Sequence, residues 1–365
     1  MVYSILSKPL WPRLSLLLLM GLVTSCGQPA ASQSEENPNN PYAQFRQAVN
    51  EVEPLIDPSL ESLTTSQFQQ ETPTVKSSIT LAEDTPLAVQ GDLTVVSAPT
   101  MQPFNERMYQ RLIQAGYSGV LDINALRAGS AIQQFCQDRS IDFLTVNRAM
   151  TPAEIKTCQE KGLQPLGMSI GKDPLLLVVN KQNDFVQGVT LEKLKDILTS
   201  NTWSKVNPSW PNAPIERAMI GPNSSTVALL TQKLFPDNGA ALLNASIAFY
   251  DYPEPMVQSL SPRSNSVAFI NASIHERFTQ TFKAIPINSI SASPETVESN
   301  AYPLVQSLFL YVDQKQLTSG TPTKAVVNFY LTEMTNVMTE VGLLPLNPAQ
   351  LDQTKNQWLK ATGNN

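Results

Sequence analysis

Residues 92–146, DLTVVSAPTMQPFNERMYQRLIQAGYSGVLDINALRAGSAIQQFCQDRSIDFLTV, decide the fold class. Three short runs rich in β-branched and apolar residues, DLTVVS (92–97), GVLDIN (119–124) and IDFLTV (141–146), read as strands. Between them NERMYQRLIQAG (105–116) and SAIQQFCQDR (130–139) carry helical patterning. Strands that alternate with helices pair in parallel, and such sheets bind ligands in the loops at the carboxyl ends of their strands. The rhythm continues through a helix in TPAEIKTCQEKG (151–162), a strand in PLLLVVN (174–180), a helix at 190–200, strand ERAMIG (216–221), helix STVALLTQKLF (225–235) and strand SVAFI (266–270). FKAIPI (282–287) and SLFLYV (307–312) follow. A long helix from about Thr323 to Val341 then puts Val326, Phe329, Tyr330, Met334, Val337 and Val341 on one stripe, which reads as core.

Composition narrows the function classes. The 365 residues are 42% hydrophobic and 15% charged with a formal net charge of −6, enough apolar matter for a large core and no basic field to recruit nucleic acid. The single histidine, His275, excludes sites built on paired histidines, and three cysteines cannot form a four-cysteine zinc cluster. There is no Gly-x-Ser-x-Gly elbow and no nucleophile pattern near His275, so neither an enzyme nor a cofactor is expected. His275, in NASIHERF, is expected on a surface helix with no role.

The amino terminus reads as an export signal. Lys8 and Arg13 precede an apolar run, Leu14 to Val23, that is too short to span ~30 Å of hydrocarbon. Val23-Thr24-Ser25-Cys26 resembles a bacterial lipobox, in which cleavage precedes Cys26 and the cysteine takes the lipid that anchors the chain to a membrane; the alternative is an ordinary cleavage at small residues with Cys26 incidental. Residues 27–89 are rich in Gln, Ser, Asn, Pro, Glu and Thr and read as a flexible tether, with a short amphipathic helix possible in PYAQFRQAVNEVEPLI. Outside the cytoplasm, Cys136 and Cys158 read as one disulfide, against a reduced buried pair as the alternative.

Four segments in a fixed order resemble the phosphate-binding (PstS-type) proteins and lipoproteins that feed ABC phosphate importers, over about residues 91–347. They are FCQDRSIDFLTVNRAMTPAEIKTCQEKG (135–162), TWSKVNPSWPNAPIERAMIGP (202–222), ASPETVESNAYPLVQSLFLYV (292–312) and VGLLPL (341–346). The resemblance implies an α/β, two-lobe periplasmic-binding-protein-like fold of the class II type, with hinge strands between lobes that close over an oxyanion. It also implies the Cys136–Cys158 disulfide. The expected divisions are 1–25 signal peptide, 26–89 tether, 90–175 first part of lobe I, 176–281 lobe II, 282–350 return to lobe I and 351–365 a C-terminal tail helix. The expected partners are phosphate or a similar oxyanion, the permease subunits and the membrane, with the chain itself a monomer outside the cytoplasm.

A dry anion site needs preorganised donors: backbone amides at helix starts, hydroxyls and an Arg fork. Three loops offer them. Ser97-Ala98-Pro99-Thr100-Met101 keeps the family's Thr at Thr100 and adds Met101, but puts Pro99 where an amide could have stood. Arg127-Ala128-Gly129-Ser130 opens a helix; the family's hydroxyl is lost at Ala128, Ser130 adds one, and Arg127 is either a surface charge or a substitute cation. Gly221-Pro222-Asn223-Ser224-Ser225-Thr226 is a shortened form of the family's third loop, and its Ser224, Ser225 and Thr226 are either ligands or helix caps. Arg148 matches the family's ligand-gripping Arg, with Asn147 at the preceding Ser, while Gln306 replaces a family Arg. Asp142 and Asp173 are expected to be structural. The leading function is delivery of phosphate or a related oxyanion to an ABC permease. The alternative is a relative with an impaired pocket, acting as sensor or scaffold or taking another oxyanion.

Overall fold

The structure, a computed structural model, describes residues 77–82, 91–222, 224–238, 240–243, 245–317 and 321–363. The expected signal peptide, Cys26 and all of the expected tether except 77–82 lie outside the described residues, as does Asn223.

The opening stretch folds as its patterning dictates. Strands β1 (Leu93–Ser97), β2 (Leu121–Ala125) and β3 (Phe143–Val146) are followed by helices α1 (Gln102–Gln114), α2 (Ala128–Gln137) and α3 (Pro152–Glu160). β1 pairs in parallel with β2 (Leu93 opposite Leu121) and with β3 (Val95 opposite Phe143). Helix α3 begins on a full capping box: the Thr151 hydroxyl accepts from the Glu154 amide, and the Glu154 carboxylate accepts from the Thr151 amide.

Next comes β4 (Pro165–Asn180), longer than its apolar run because the strand starts nine residues before Pro174. Every residue from Ile170 to Asn180 is buried, as expected where both faces of a sheet are covered. The second lobe contains α4 (Leu191–Thr199), α5 (Trp203–Val206), β5 (Glu216–Ile220), α6 (Ser225–Leu234), α7 (Ala240–Leu243), β6 (Ile247–Tyr250), α8 (Pro253–Leu260), β7 (Ser266–Asn271), α9 (Ala272–His275), β8 (Phe282–Ile285) and α10 (Pro294–Glu298). The chain returns through β9 (Val305–Asp313) and ends with α11 (Pro322–Glu340) and α12 (Pro348–Thr362).

One nine-stranded sheet results, in the order β2-β1-β3-β9-β4-β7-β5-β6, with β8 also on β4. β4 belongs to both lobes. Its first part pairs antiparallel with β9 up to Pro174 opposite Val305, and its second part pairs with β7 from Leu175 opposite Asn271. Two hydrophobic cores flank this crossing. In lobe I, Tyr330 meets Phe104 and Phe143 edge to face at 5.7 and 5.2 Å. In lobe II, Trp203 packs against Phe185 and Trp210 at 5.3 and 5.7 Å.

Four features differ from the sequence reading. Lobe II extends to Leu304 rather than ending at 281, because β8 pairs with β4 and Val297, Tyr302 and Leu304 complete the second core. The terminal helix starts at Pro348, capped by Asn347, and packs Leu351 and Trp358 into the core of lobe I instead of trailing as a tail. Strand β6 is a short edge strand with no fully buried residue, so it leaves no apolar run to read. His275 is partly buried, its Nε2 lying 3.3 Å from the carbonyl of Phe282.

Residues 77–82 lie along this terminal helix. Asp352 accepts from both Ser77 and Ser78, Lys355 donates to the carbonyl of Ile79, Asn328 donates to that of Ala82, and Leu81 enters the core of lobe I.

Cys136 on α2 and Cys158 on α3 are buried and joined as a disulfide across a separation of 22 residues. Replacing both with Ser should lower the unfolding free energy by about 3 kcal/mol through the entropy regained by the unfolded chain. Urea denaturation checks this; a loss well under 1 kcal/mol would mean the bridge adds nothing.

Candidate anion-binding site

The carboxyl ends of β1, β2 and β3 in lobe I and of β5, β6 and β7 in lobe II open toward the crevice that β4 and β9 cross. Two of these ends, those of β3 and β7, carry a polar residue directly after a buried run. DFLTVN ends in Asn147 and SVAFIN ends in Asn271, so corresponding Asn residues stand at the mouths of the two lobes.

Gln306, the second residue of β9, connects them. Its Oε1 accepts from Nδ2 of Asn147 at 3.2 Å and from Nδ2 of Asn271 at 2.8 Å, and its Nε2 donates to Oγ of Ser225 at 3.2 Å. Asn147 uses its other proton on the Thr100 hydroxyl at 2.9 Å. Thr100 and Asn147 come from lobe I, Ser225 and Asn271 from lobe II. Asn147, Ser225, Asn271 and Gln306 are all buried, and Asn147 Oδ1 has no hydrogen-bond partner among the described residues.

Arg148, the next residue after Asn147, does not bond to this hub. Its Nη1 and Nη2 grip the Glu154 carboxylate at 2.8 and 2.7 Å, and Nη1 also reaches the carbonyl of Ala149. Burial alone would raise the Glu154 pKa, but the bonds from Arg148 and Thr151 outweigh it and hold this carboxyl below its ordinary value. Nε and one proton of Nη2 remain, forming the free side edge of the guanidinium. Arg127, which precedes α2, forms an ion pair with Asp251 and so joins the two lobes at the rim. Its guanidinium lies against Gly221, where a Cβ would stand 3.3 Å from it, so this glycine permits the close approach.

Helix starts supply further donors. Helix α2 has no side-chain cap, so the amides of Ala128, Gly129 and Ser130 lack partners among the described residues. On α6 the Ser224 hydroxyl accepts from the Val227 amide and donates to the carbonyl of Ile220. Ser224 is thereby a cap, while the amides of Ser225 and Thr226 have no partner among the described residues. Ser130 is exposed, and Thr226 is buried in the first turn of α6. Met101 is corrected: its side chain is completely buried in the core of lobe I and its amide donates to the carbonyl of Ala98, so nothing of it is left for a ligand.

Behind the hub, Asp173 sits opposite Gln306 in the β4–β9 register. It is fully buried and accepts from the Ser273 hydroxyl at 2.8 Å, and from Asn271 and the first amides of α9. Burial drives its pKa up to about 7, and those hydrogen bonds offset only part of the rise. Asp142, as expected, is structural: it accepts from the Thr94 amide and the Thr323 hydroxyl. Asn271, Glu154 and Asp251 were beyond the sequence reading. The matched endings DFLTVN and SVAFIN were the available signal for Asn271.

Residues 69–334 match the family model described as the PBP superfamily domain. The chain belongs to that superfamily. Among curated relatives, Protein SphX of Synechocystis is 26% identical over 72% of this chain and 80% of its own length. The phosphate-binding protein PstS of Staphylococcus saprophyticus is 24% identical over 71% of this chain and 80% of its own. Among solved structures, a putative phosphate ABC transporter substrate-binding protein from Clostridium perfringens, crystallised with phosphate, superposes with a TM-score of 0.60 at 17% identity, over 70% of this chain and all of that one. A possible phosphate-binding protein from Planctomyces limnophilus gives 0.57 at 20% identity, over 75% of this chain and 99% of that one. At these identities the superpositions speak for the fold, a two-lobed member of the superfamily.

The buried carboxyl of Asp173 makes a pH prediction. Folding raises its pKa, so its contribution to stability is full below about pH 4 and is lost as pH climbs through about 7. Asp173→Asn removes that loss. Between about pH 5 and pH 8, urea unfolding should show the variant gaining on the wild type as pH rises. A difference that stays constant with pH would mean that Asp173 does not titrate there.

Proposed function

We propose that this chain is a solute-binding protein that closes its two lobes on phosphate, or a closely related oxyanion, and delivers it to an ABC permease. What supports the reading is that donors of several kinds, from both lobes, follow strand ends. The amides that open α2 and α6, which have no partner among the described residues, the hydroxyls of Thr100 and Ser225 and the remaining edge of Arg148 all follow strand ends of the two lobes. Helix starts present N–H groups and the positive end of the helix dipole, which replace water around an anion. Glu154 orients Arg148 toward a bidentate grip, and Gly129 lets an anion approach the start of α2 closely. The names of the relatives, phosphate-binding proteins among them, support the choice of ligand.

Export fits the same reading. A signal peptide over residues 1–25, a lipid on Cys26 and a tether ahead of lobe I would hold the protein at the outer face of a membrane as a monomer beside its permease. The Cys136–Cys158 bridge supports an oxidising compartment. Amide and hydroxyl donors beside paired cations suit the binding of an anion.

Isothermal titration of the full chain with phosphate at neutral pH should give saturable heat. Arg148→Ala should weaken binding by about tenfold or more, as loss of a charge-assisted bidentate contact does. Flat titrations with phosphate, phosphonate and sulfate alike would overturn the assignment.

A further inference from the structure

The hub of the crevice has the connectivity that a bound anion would have. A crevice anion is held by N–H donors from both lobes converging on its oxygens, and that is the situation of Gln306 Oε1. It accepts from Asn147 of lobe I and Asn271 of lobe II at 3.2 and 2.8 Å. Nε2 of the same carboxamide reaches Ser225 at the start of α6. Both protons of Asn147 are engaged, one by Gln306 and one by Thr100. Asn271 gives one of its two to Gln306. The side-chain amides at the mouths of the two lobes therefore already have acceptors, and the acceptor they share belongs to the chain itself.

Gln306 sits on β9, at the rung opposite Asp173 where the sheet passes from one lobe to the other, and only 3% of it is exposed. A neutral carboxamide in that position satisfies buried donors without requiring an ion to be stripped of water. It also bonds to both lobes at once, so separating them breaks its contacts on at least one side.

We propose that the Gln306 carboxamide is an internal occupant of the crevice: it bridges the lobes when no anion is present and takes the Asn147 and Asn271 donors that an anion would otherwise use. The second half rests on the anion-binding reading above, and the first does not. An incoming anion must displace Oε1 from these donors, so Gln306 sets affinity by competition. The Arg127–Asp251 pair at the rim bridges the lobes too, but it is exposed and charged, and salt screens it.

The test compares the wild type with Gln306→Ala and Gln306→Met in the full chain; the Met variant keeps the length and volume of the side chain and guards against simple loss of packing. Spin labels are attached through Glu160→Cys in lobe I and Asp196→Cys in lobe II, with Cys26→Ser removing the remaining thiol. Pulsed dipolar spectroscopy then reads the spacing of the lobes, and calorimetry reads phosphate affinity. Without phosphate, both variants should show a longer or broader distance distribution than the wild type, and phosphate should restore the short one. Phosphate affinity should rise by about tenfold, as two donors are freed for a charged acceptor. An unchanged distance distribution in both variants overturns the bridge. A lengthened distribution with unchanged or weakened affinity overturns the competition and keeps the bridge. A lengthened distribution with no heat from either wild type or variants supports the bridge and overturns the anion-binding function instead.

Discussion

Where β4 and β9 run side by side, their rungs carry the chain from one hydrophobic core to the other, and the contact between Asp173 and Gln306 falls at that passage. This pairing fixes how strand ends from the two lobes approach each other. Every polar side chain of the crevice is placed relative to this rung. Asn271 reaches Gln306 because β7 ends opposite Leu175, and Asn147 reaches it because β3 lies on the other side of β9. A change in the β4–β9 register by one residue would turn Gln306 to the opposite face and scatter the hub.

The charges of the crevice are arranged with restraint. Its two arginines each meet a carboxylate, Arg148 with Glu154 and Arg127 with Asp251, while the buried hub is neutral. A bare guanidinium in a closed crevice would carry a large desolvation cost, and pairing lowers it while keeping directional donors in place. The first amides of α2 and α6, without partners among the described residues, lie in the first turn, where no helical acceptor exists. The donors left over by this arrangement are mainly fixed dipoles rather than free charges.

Much of the architecture was legible in the sequence, because strand and helix periods are local. The opening three strands, their helices and the disulfide stand where the residues put them. The limits of lobe II were not legible, since FKAIPI could pair with a strand of either lobe and only tertiary packing decides. At the site, Thr100, Asn147 and Ser225 do meet, through Gln306. Arg148 does not bond to them, because Glu154, six residues on, holds its guanidinium. Met101 lies in the core of lobe I, because apolar burial outweighs its position beside a donor loop. Asn271 lay outside any motif, and only its likeness to Asn147 at a strand end marked it.

The attachment of residues 77–82 to the terminal helix has a mechanical consequence. Ser77, Ser78, Ile79 and Ala82 are all bound to α12 and α11, and these helices pack on lobe I. Tension arriving along the chain from its amino-terminal side is therefore taken up by one lobe alone and exerts no torque about the crossing strands. The other lobe takes no part in this attachment, so a pull from that side does not act on it directly.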